Sequence, residues 1–266
     1  METSKHRRDE ELEYQASRAK RIAKLRPTPD EIIERYRRLR LWWVFPKDFA
    51  FRQMKDLSGK KVLDFGCGEG EVSTQLAKLG AYATGVDISP ELIDVARKRA
   101  ELDGVQDHVE FMVCDIEETP LPRQKFDILF CYAVLHHIDI RSAFPRLLAT
   151  LKPGGMAIML EPITFSPWLK RLRDSVPLPK EGGPLDHPLT KEDVRYVTDS
   201  LYGPSLRFFD LFGRLQRLLP KGPGKYGWGT KLTICLCAFD RILLTLCPPL
   251  AKFSGSIVIV GQRPPA

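Results

Sequence analysis

Residues 62–73 read Val-Leu-Asp-Phe-Gly-Cys-Gly-Glu-Gly-Glu-Val-Ser, and this stretch decides the fold. The apolar run of Val62, Leu63 and Phe65 predicts a strand that is buried on both faces. Three alternating glycines follow it, and the apolar pattern behind them predicts a helix. Because glycine adopts positive φ and lets a ligand approach the backbone, this order of elements predicts a nucleotide-cofactor site at the carboxyl edge of a parallel sheet.

The glycine spacing narrows the class of cofactor. A dinucleotide fingerprint needs Gly-x-Gly-x-x-Gly, but Glu71 stands where its third glycine would be. No Lys-Ser/Thr pair follows the glycines, so the stretch is not a phosphate-binding P-loop. Asp64-x-Gly66-x-Gly68-x-Gly70 instead resembles the first motif of the class I S-adenosylmethionine-dependent methyltransferases.

Further motifs follow in the same register. Tyr82–Asp87 predicts a second strand that ends in an acid 23 positions after Asp64, close to the interval at which dinucleotide folds place a ribose-binding acid. Ser89 and Pro90 predict the N-cap and first residue of the next helix. Three more strands are predicted over Val109–Asp115, Phe126–Tyr132 and Met156–Glu161.

The resemblance assigns roles to individual residues. In the resembled family the acid ending the second strand holds both ribose hydroxyls, which here is Asp87, and the acid after the third strand, Asp115, faces the adenine amino group. Asp64 or Asp87 alone would more often be a helix cap or a solvated charge, but the two together at strand ends in register favour cofactor contact. Cys67 is expected to be a small apolar filler beside the cofactor. The residues that the resemblance places at the cofactor are Asp64, Gly66, Cys67, Gly68, Gly70, Asp87, Ile88, Asp115, Ile116 and Tyr132.

The implied fold is a doubly wound α/β domain with a seven-stranded, mostly parallel sheet of order 3-2-1-4-5-7-6. Its last strand is reversed, and the sixth and seventh strands are predicted over Leu206–Leu211 and Ser256–Gly261. We divide the chain into an N-terminal helical cap, the cofactor-binding core, an acceptor-pocket region with a hydrophobic helical insertion, and a final strand with its tail. These regions are residues 1–54, 55–164, 165–252 and 253–266.

The amino-acid composition indicates the size of the fold and the compartment in which we expect the protein. A chain of 266 residues with 43% apolar content supports one α/β domain with elaborations. Six cysteines show neither a pairing rhythm nor metal-ligand spacing, so we expect reduced thiols and a cytoplasmic protein. The charged start of the chain holds no apolar segment typical of a secretory signal.

Charge is distributed unevenly. Residues 55–164 carry a net charge of −5, whereas residues 1–40 and 165–252 carry +4 and +6. Basic flanks suit an acidic acceptor, a nucleic acid or an anionic membrane, although solvated helix faces are the default explanation. The basic residues are not interleaved with stacking aromatics, so we expect no nucleic-acid partner.

Candidate catalytic residues follow the fourth strand. His136 and His137 come directly after it, where a histidine could remove the proton of a phenol or acid acceptor. The alternative is that the pair only shapes the site, since Leu-His-His-Ile is common in the family. Glu161, which ends the fifth strand, and His187 are weaker candidates. The Asp-Asp-Asn metal set of catechol-type enzymes is not recognisable, so we predict no metal.

Two accessory regions bear on the acceptor. Trp42 and Trp43 could line the acceptor pocket, as could His187, or the tryptophans could simply pack on the sheet. Leu232–Phe239 and Ile242–Cys247 read as apolar helices interrupted by Asp240-Arg241, within a connection of about 44 residues where the family has a tight hairpin. They are shorter than the ~20 residues that span a bilayer. They either cover the pocket or a dimer interface, or dip into a membrane surface.

The sequence therefore predicts methyl transfer from S-adenosylmethionine to a small, hydrophobic or lipid-like acceptor, with oxygen as the favoured acceptor atom. Peripheral membrane contact is one predicted property, and the oligomeric state stays open. Two alternatives remain: a methyltransferase of RNA or protein, and a cofactor-binding scaffold without catalysis.

Overall fold

A computed structural model describes residues 2–22, 25–37, 45–166, 171, 188–213, 215 and 228–265. Trp42, Trp43 and His187 lie outside these ranges, so their predicted place at the acceptor stays a prediction.

One seven-stranded sheet forms the centre of the fold. Its order is β3-β2-β1-β4-β5-β7-β6. The first five strands along this order run parallel, and β7 runs antiparallel to both of its neighbours. This confirms the predicted architecture, including the reversed last strand. The strands are β1 Lys61–Phe65, β2 Tyr82–Asp87, β3 Val109–Val113, β4 Phe126–Tyr132, β5 Leu151–Pro162, β6 Tyr202–Phe209 and β7 Ser256–Gln262.

Helices cover both faces of this sheet. On one face, Phe51 of α3 and Leu76 of α4 are buried with alternate residues of the central strands. On the other, Phe144 of α6 and Val197 of α7 are buried against the remaining residues. The central strands are therefore dry on both sides, as their continuous apolar runs predicted. The helices are α1 Glu2–Arg21, α2 Asp30–Arg37, α3 Pro46–Gln53, α4 Glu71–Lys78, α5 Pro90–Leu102, α6 Ile140–Thr150, α7 Lys191–Asp199 and α8 Trp228–Leu246.

Local signals explain where the helix after β2 begins. Ser89 is fully buried, and its hydroxyl oxygen accepts a hydrogen bond from the Leu92 N–H at 3.3 Å. Pro90 occupies the first helical position, where its missing N–H has no cost. The predicted cap of α5 is therefore confirmed.

The structure corrects three boundaries. Asp240 and Arg241 do not interrupt the hydrophobic insertion, because α8 runs through them as one helix of 19 residues. Asp240 is accommodated there because its buried carboxylate accepts backbone hydrogen bonds from the loop after β6. The sixth strand begins at Tyr202 and ends at Phe209, earlier than predicted, and β5 begins at Leu151 rather than at Met156.

The topology fixes where a ligand must bind. Strand order reverses between β1 and β4, which are neighbours in the sheet although two strands separate them in sequence. At such a switch point the connections leave in opposite directions and open a crevice outside the carboxyl ends of the strands. The glycine turn that follows β1 lies at this crevice.

Candidate cofactor and acceptor site

The glycine turn is held by the neighbouring strand. Gly66, Gly68 and Gly70 have φ values of 71°, 53° and 75°, in the left-handed region that disfavours other residues. The N–H groups of Gly66 and Cys67 donate to the Val86 carbonyl at 2.8 and 2.9 Å. The turn is thereby locked to the end of β2, and α4 begins directly behind it.

The three glycines differ in what surrounds them. A Cβ on Gly66 would lie 2.3 Å from a methyl group of Val134, and one on Gly70 would lie 2.7 Å from the Cβ of Ala96. A Cβ on Gly68 would meet nothing closer than the guanidinium of Arg18 at 4.0 Å. The backbone at Gly68 therefore faces open space that a side chain would fill, which fits the close approach of a nucleotide cofactor.

Asp87 borders that open space at the end of β2. One of its carboxylate oxygens accepts the Gly68 N–H at 2.8 Å, and the other accepts the Ser89 N–H at 3.0 Å. The side chain is half-buried. The glycine turn and the second strand thus present one carboxylate to the crevice, in the place that the sequence predicted for a ribose-binding acid.

Asp64 lies beneath the turn and is almost fully buried. Its carboxylate accepts the Ser73 hydroxyl at 2.6 Å. Burial raises the pKa of Asp64 from its ordinary 3.8 to about 6, with a further increase from the charge of Asp87, while Ser73 and Lys47 oppose the rise. A buried carboxylate of this kind is poised to interact with a cationic ligand group.

We expect Asp64→Asn to stabilise the cofactor-free protein at pH 8 by on the order of 2–3 kcal/mol. The Asp64 carboxyl binds its proton more tightly in the folded protein than in the unfolded chain, so protonation of Asp64 stabilises the fold. This stabilisation is complete below the unfolded pKa of Asp64 and is lost as pH rises through about 6. Urea unfolding at pH 5 and pH 8 measures the difference. The gain should shrink at pH 5, and the exposed surface aspartate of an Asp94→Asn control should give no gain at either pH. An equal gain at both pH values would contradict the burial argument.

The remaining predicted cofactor residues lie at the same edge of the sheet. Asp115 follows β3 by two residues, and its carboxylate accepts the Glu117 N–H at 2.8 Å. Ile116 and Cys67 are buried, and Ile88 is half-buried. Tyr132 ends β4 with 42% of its surface exposed. Their contact with a cofactor stays a prediction that follows from their shared edge.

A buried hydrogen-bonded pair lies beside the turn. Glu161 at the end of β5 has one oxygen that accepts the N–H groups of Val134 and Leu135, both at 2.9 Å. Its other oxygen lies 2.8 Å from Nδ1 of His136, and neither side chain is more than 5% exposed. The ring of His137 lies 4.0 Å from that of His136. The structure therefore brings together all three described catalytic candidates.

The geometry separates the roles of these candidates. Glu161 receives three hydrogen-bond donors and has no exposed surface, so it is arranged to orient other groups. Nδ1 of His136 lies against that carboxylate, so Nε2 is the ring nitrogen at which we predict proton transfer. Val134 precedes the turn that carries His136 and His137, and it also fills the space above Gly66. The turn with the two histidines therefore packs against the glycine turn.

Lys47 is a charged residue of this crevice that the sequence did not reveal. It lies in the first turn of α3, and its ammonium is 2.8 Å from Glu71 and 5.6 Å from the ring centre of Tyr132. Glu71 begins α4 behind the glycine turn, and Tyr132 ends β4. The lysine thus bridges both sides of the switch point. No sequence motif marks it, because its position depends on how α3 packs on the sheet.

Two thiols near the site are buried. Burial raises the pKa of the Cys67 and Cys131 thiols well above their ordinary value, which disfavours the nucleophilic thiolate. Within the described ranges, no group of three or more His, Cys, Asp or Glu side chains is arranged to hold a metal ion.

Comparison with known proteins agrees with the fold. Residues 63–159 match the family described as methyltransferase domain. Over 112 residues the chain is 40% identical to the mitochondrial ubiquinone biosynthesis O-methyltransferase of Schizosaccharomyces pombe, and the match covers 41% of this chain and 40% of that protein. Over 104 residues it is 44% identical to the ubiquinone biosynthesis O-methyltransferase of Coxiella burnetii, covering 39% and 44%. The chain thus spans less than half the length of these curated relatives.

Solved structures extend the likeness beyond the matched segment. The geranyl diphosphate C-methyltransferase of Streptomyces coelicolor A3(2) superimposes with a TM-score of 0.57, at 16% identity, over 82% of this chain and 79% of that chain. At this identity the likeness establishes the fold alone. The central part of the chain, residues 63–159, thus matches a methyltransferase domain, and the whole sheet has the fold of methyltransferases of solved structure.

Proposed function

We propose that this protein transfers a methyl group from S-adenosylmethionine to an oxygen atom of a small, hydrophobic or lipid-like acceptor that it meets at a membrane surface. The observation that carries the oxygen acceptor is the buried pair of His136 and Glu161 beside the glycine turn. A hydroxyl becomes a good nucleophile only as its proton leaves, so a positioned base is of use to an oxygen acceptor in particular.

The cofactor, when bound, supplies an electrophilic methyl group on a sulfonium that is already a good leaving group. The residues of this chain then have three tasks. Gly68 and Asp87 hold the nucleoside part, Asp64 and Lys47 provide charges at the switch point, and His136 accepts the acceptor proton on Nε2. Glu161 keeps the imidazole ring oriented and stabilises its positive charge. Orientation of the two reactants can lower the barrier by ~7–11 kcal/mol, so placement is the main contribution.

The lipid-like acceptor draws support from the relatives and from charge. Two curated proteins that match the core are named ubiquinone biosynthesis O-methyltransferases. The regions flanking the acidic core of this chain are basic, which suits work at an anionic surface from the cytoplasm. Among helices in the described part of the chain, none is both long and apolar enough to cross a bilayer.

A labelling experiment tests the function. Purified protein is incubated with S-adenosylmethionine carrying a labelled methyl group and with fractionated lysate, and label is traced into lipid, small-molecule, RNA and protein fractions. We expect label in an organic-soluble fraction as a methyl ether or ester. Label in RNA or protein would contradict the acceptor class. Tight binding of S-adenosylhomocysteine without any transfer would indicate a scaffold, and tight binding of NAD would overturn the cofactor assignment.

A further inference from the structure

An apolar stripe runs along the outer face of α8. Its members follow each other at intervals of three and four residues, which places them on one side of the helix. Phe239, Ile242 and Leu246 are 52%, 58% and 79% exposed. Large exposed apolar side chains in a row on a folded domain indicate a surface that contacts something else. The α8 stripe consists of Leu232, Cys235, Phe239, Ile242 and Leu246.

The opposite face of α8 fixes the direction of this stripe. Cys237 and Asp240 are buried. The Asp240 carboxylate accepts the Phe212 N–H at 2.8 Å and the Gly213 N–H at 2.8 Å, which ties the helix to the loop after β6. Rotating α8 to bury its stripe would expose these bonds and leave the Phe212 and Gly213 N–H groups without their acceptor, which is costly. The stripe is therefore held outward.

Basic residues lie near the stripe. Lys231, next to Leu232, is exposed at its start, and Lys252 is exposed six residues after Leu246. Arg241 lies on the other side of α8, where it lines a cleft with Cys237 and Arg207. Exposed lysines near an apolar stripe favour an anionic partner.

The acids at this edge point away from the surface. Asp240 is bonded to backbone N–H groups, and Asp210 accepts the hydroxyl of Ser256. The exposed charges named here that border the stripe are therefore basic, while these neighbouring acids are engaged inside the fold. An apolar stripe with basic flanks matches the composition of helices that lie in the interface of an anionic bilayer.

A second copy of the chain fits this surface less well. Intervals of three and four residues would also suit pairing of two helices, but two-fold symmetry would bring the basic flanks of both copies together. Like charges across an interface oppose association. An anionic lipid surface offers acyl chains to the apolar stripe and negative headgroups to its basic flanks.

We propose that the α8 stripe, with Lys231 and Lys252, is a docking surface for an anionic lipid bilayer. α8 lies flat in the interface, with its apolar side chains among the acyl chains and its basic residues among the headgroups. This deepens the proposed function, on which it rests for the source of the acceptor, by naming the surface that meets the membrane. It also assigns a purpose to the long connection between β6 and β7, which lies outside the segment 63–159 of the family match.

Flotation with phosphatidylcholine vesicles that contain increasing phosphatidylglycerol tests the docking without any methyl acceptor. We expect binding that rises with the anionic fraction and weakens with salt. The triple variant Phe239→Ser, Ile242→Ser, Leu246→Ser should bind such vesicles at least about tenfold more weakly, because three apolar side chains no longer insert. Its affinity for S-adenosylhomocysteine should be unchanged, because the cofactor edge is not altered. Its unfolding free energy should fall only modestly, because Phe239 is half exposed and packs on Phe212.

A matched control is Val113→Ser, which replaces a half-exposed apolar residue on β3 at the far edge of the sheet and should leave vesicle binding unchanged. Absence of vesicle binding by a protein that binds S-adenosylhomocysteine would overturn the docking and the membrane as the source of the acceptor, and leave the proposed methyl transfer to oxygen standing. Sedimentation that shows a dimer, converted to monomer by the triple variant, would assign the stripe to a second copy and also overturn the proposal. Failure to bind S-adenosylhomocysteine would instead count against the proposed function.

Discussion

Replacing His136 with alanine is expected to lower kcat by on the order of 10²–10⁴-fold. The expected cause is loss of the base that accepts the acceptor proton on Nε2, while the ring's Nδ1 is held 2.8 Å from Glu161. Affinity for S-adenosylhomocysteine should be unchanged, because the glycine turn and Asp87 bind the nucleoside without this ring. Turnover on the acceptor found by labelling and calorimetry with S-adenosylhomocysteine measure the two quantities.

Two further variants separate catalysis from support. His137→Ala removes the adjacent ring, 4.0 Å away, and should reduce kcat far less. Glu161→Gln keeps the shape of the side chain but removes the charge that stabilises a protonated His136, so kcat should fall with little change in KM. Added imidazole should partly restore turnover of His136→Ala, which a purely structural role would not produce. Near-normal turnover of both histidine variants would show that the pair only shapes the site and that catalysis is placement alone.

Replacing Gly66 with alanine is expected to lower the free energy of unfolding by about 2–5 kcal/mol. The new methyl group would lie 2.3 Å from Val134, which is itself held by a backbone hydrogen bond to Glu161, and φ is 71°. The strain at positive φ and the overpacking against Val134 therefore both lower the free energy of unfolding. Urea unfolding measures the loss.

Gly68→Ala gives the complementary result in the same motif. Its Cβ meets only open space in the protein, so stability should fall by only about 1–2 kcal/mol from the positive φ. Affinity for S-adenosylhomocysteine should fall by about tenfold to a hundredfold, because the methyl group occupies the space left for the ligand. Gly59→Ala is a matched control, with φ 67° and nothing within 4 Å, and should reproduce the stability loss while binding normally. Equal stability losses at positions 66 and 68, or normal binding by Gly68→Ala, would contradict the different roles assigned to these two glycines.

The core of the fold could be predicted because its signals are local. Val62 to Ser73 specify a buried strand, a turn at positive φ and a helix start within one short window. Asp87 could be placed at the same edge because parallel strands bring their carboxyl ends together. The direction of the strands alone therefore places the glycine turn and Asp87 at the crevice, and both lie there in the structure. Glu161 was found for the same reason, although its role was not.

Residues whose place depends on packing between distant elements could not be predicted in this way. Lys47 reaches the crevice because buried side chains of α3 dock on the sheet, and neither its spacing nor its neighbours in sequence signal this. The prediction that Asp240 interrupts the helix was wrong. It assumed that a charged residue within an apolar run lies in solvent, as such residues usually do. Here the charge is buried and satisfied by the N–H groups of Phe212 and Gly213, almost 30 residues earlier in the chain.

By itself the sequence determined the cofactor turn and the acids at its edge, because each follows from a short pattern and from the direction of parallel strands. The strand order followed from the resemblance to the methyltransferase family. Only the tertiary structure decided which histidine nitrogen contacts Glu161, which glycine borders open space and which side of α8 stays exposed. Those properties depend on contacts between β4 and β5, between Gly66 and Val134, and between α8 and the loop after β6. Such contacts join residues far apart in the chain, and their energies depend on distances that no local pattern encodes.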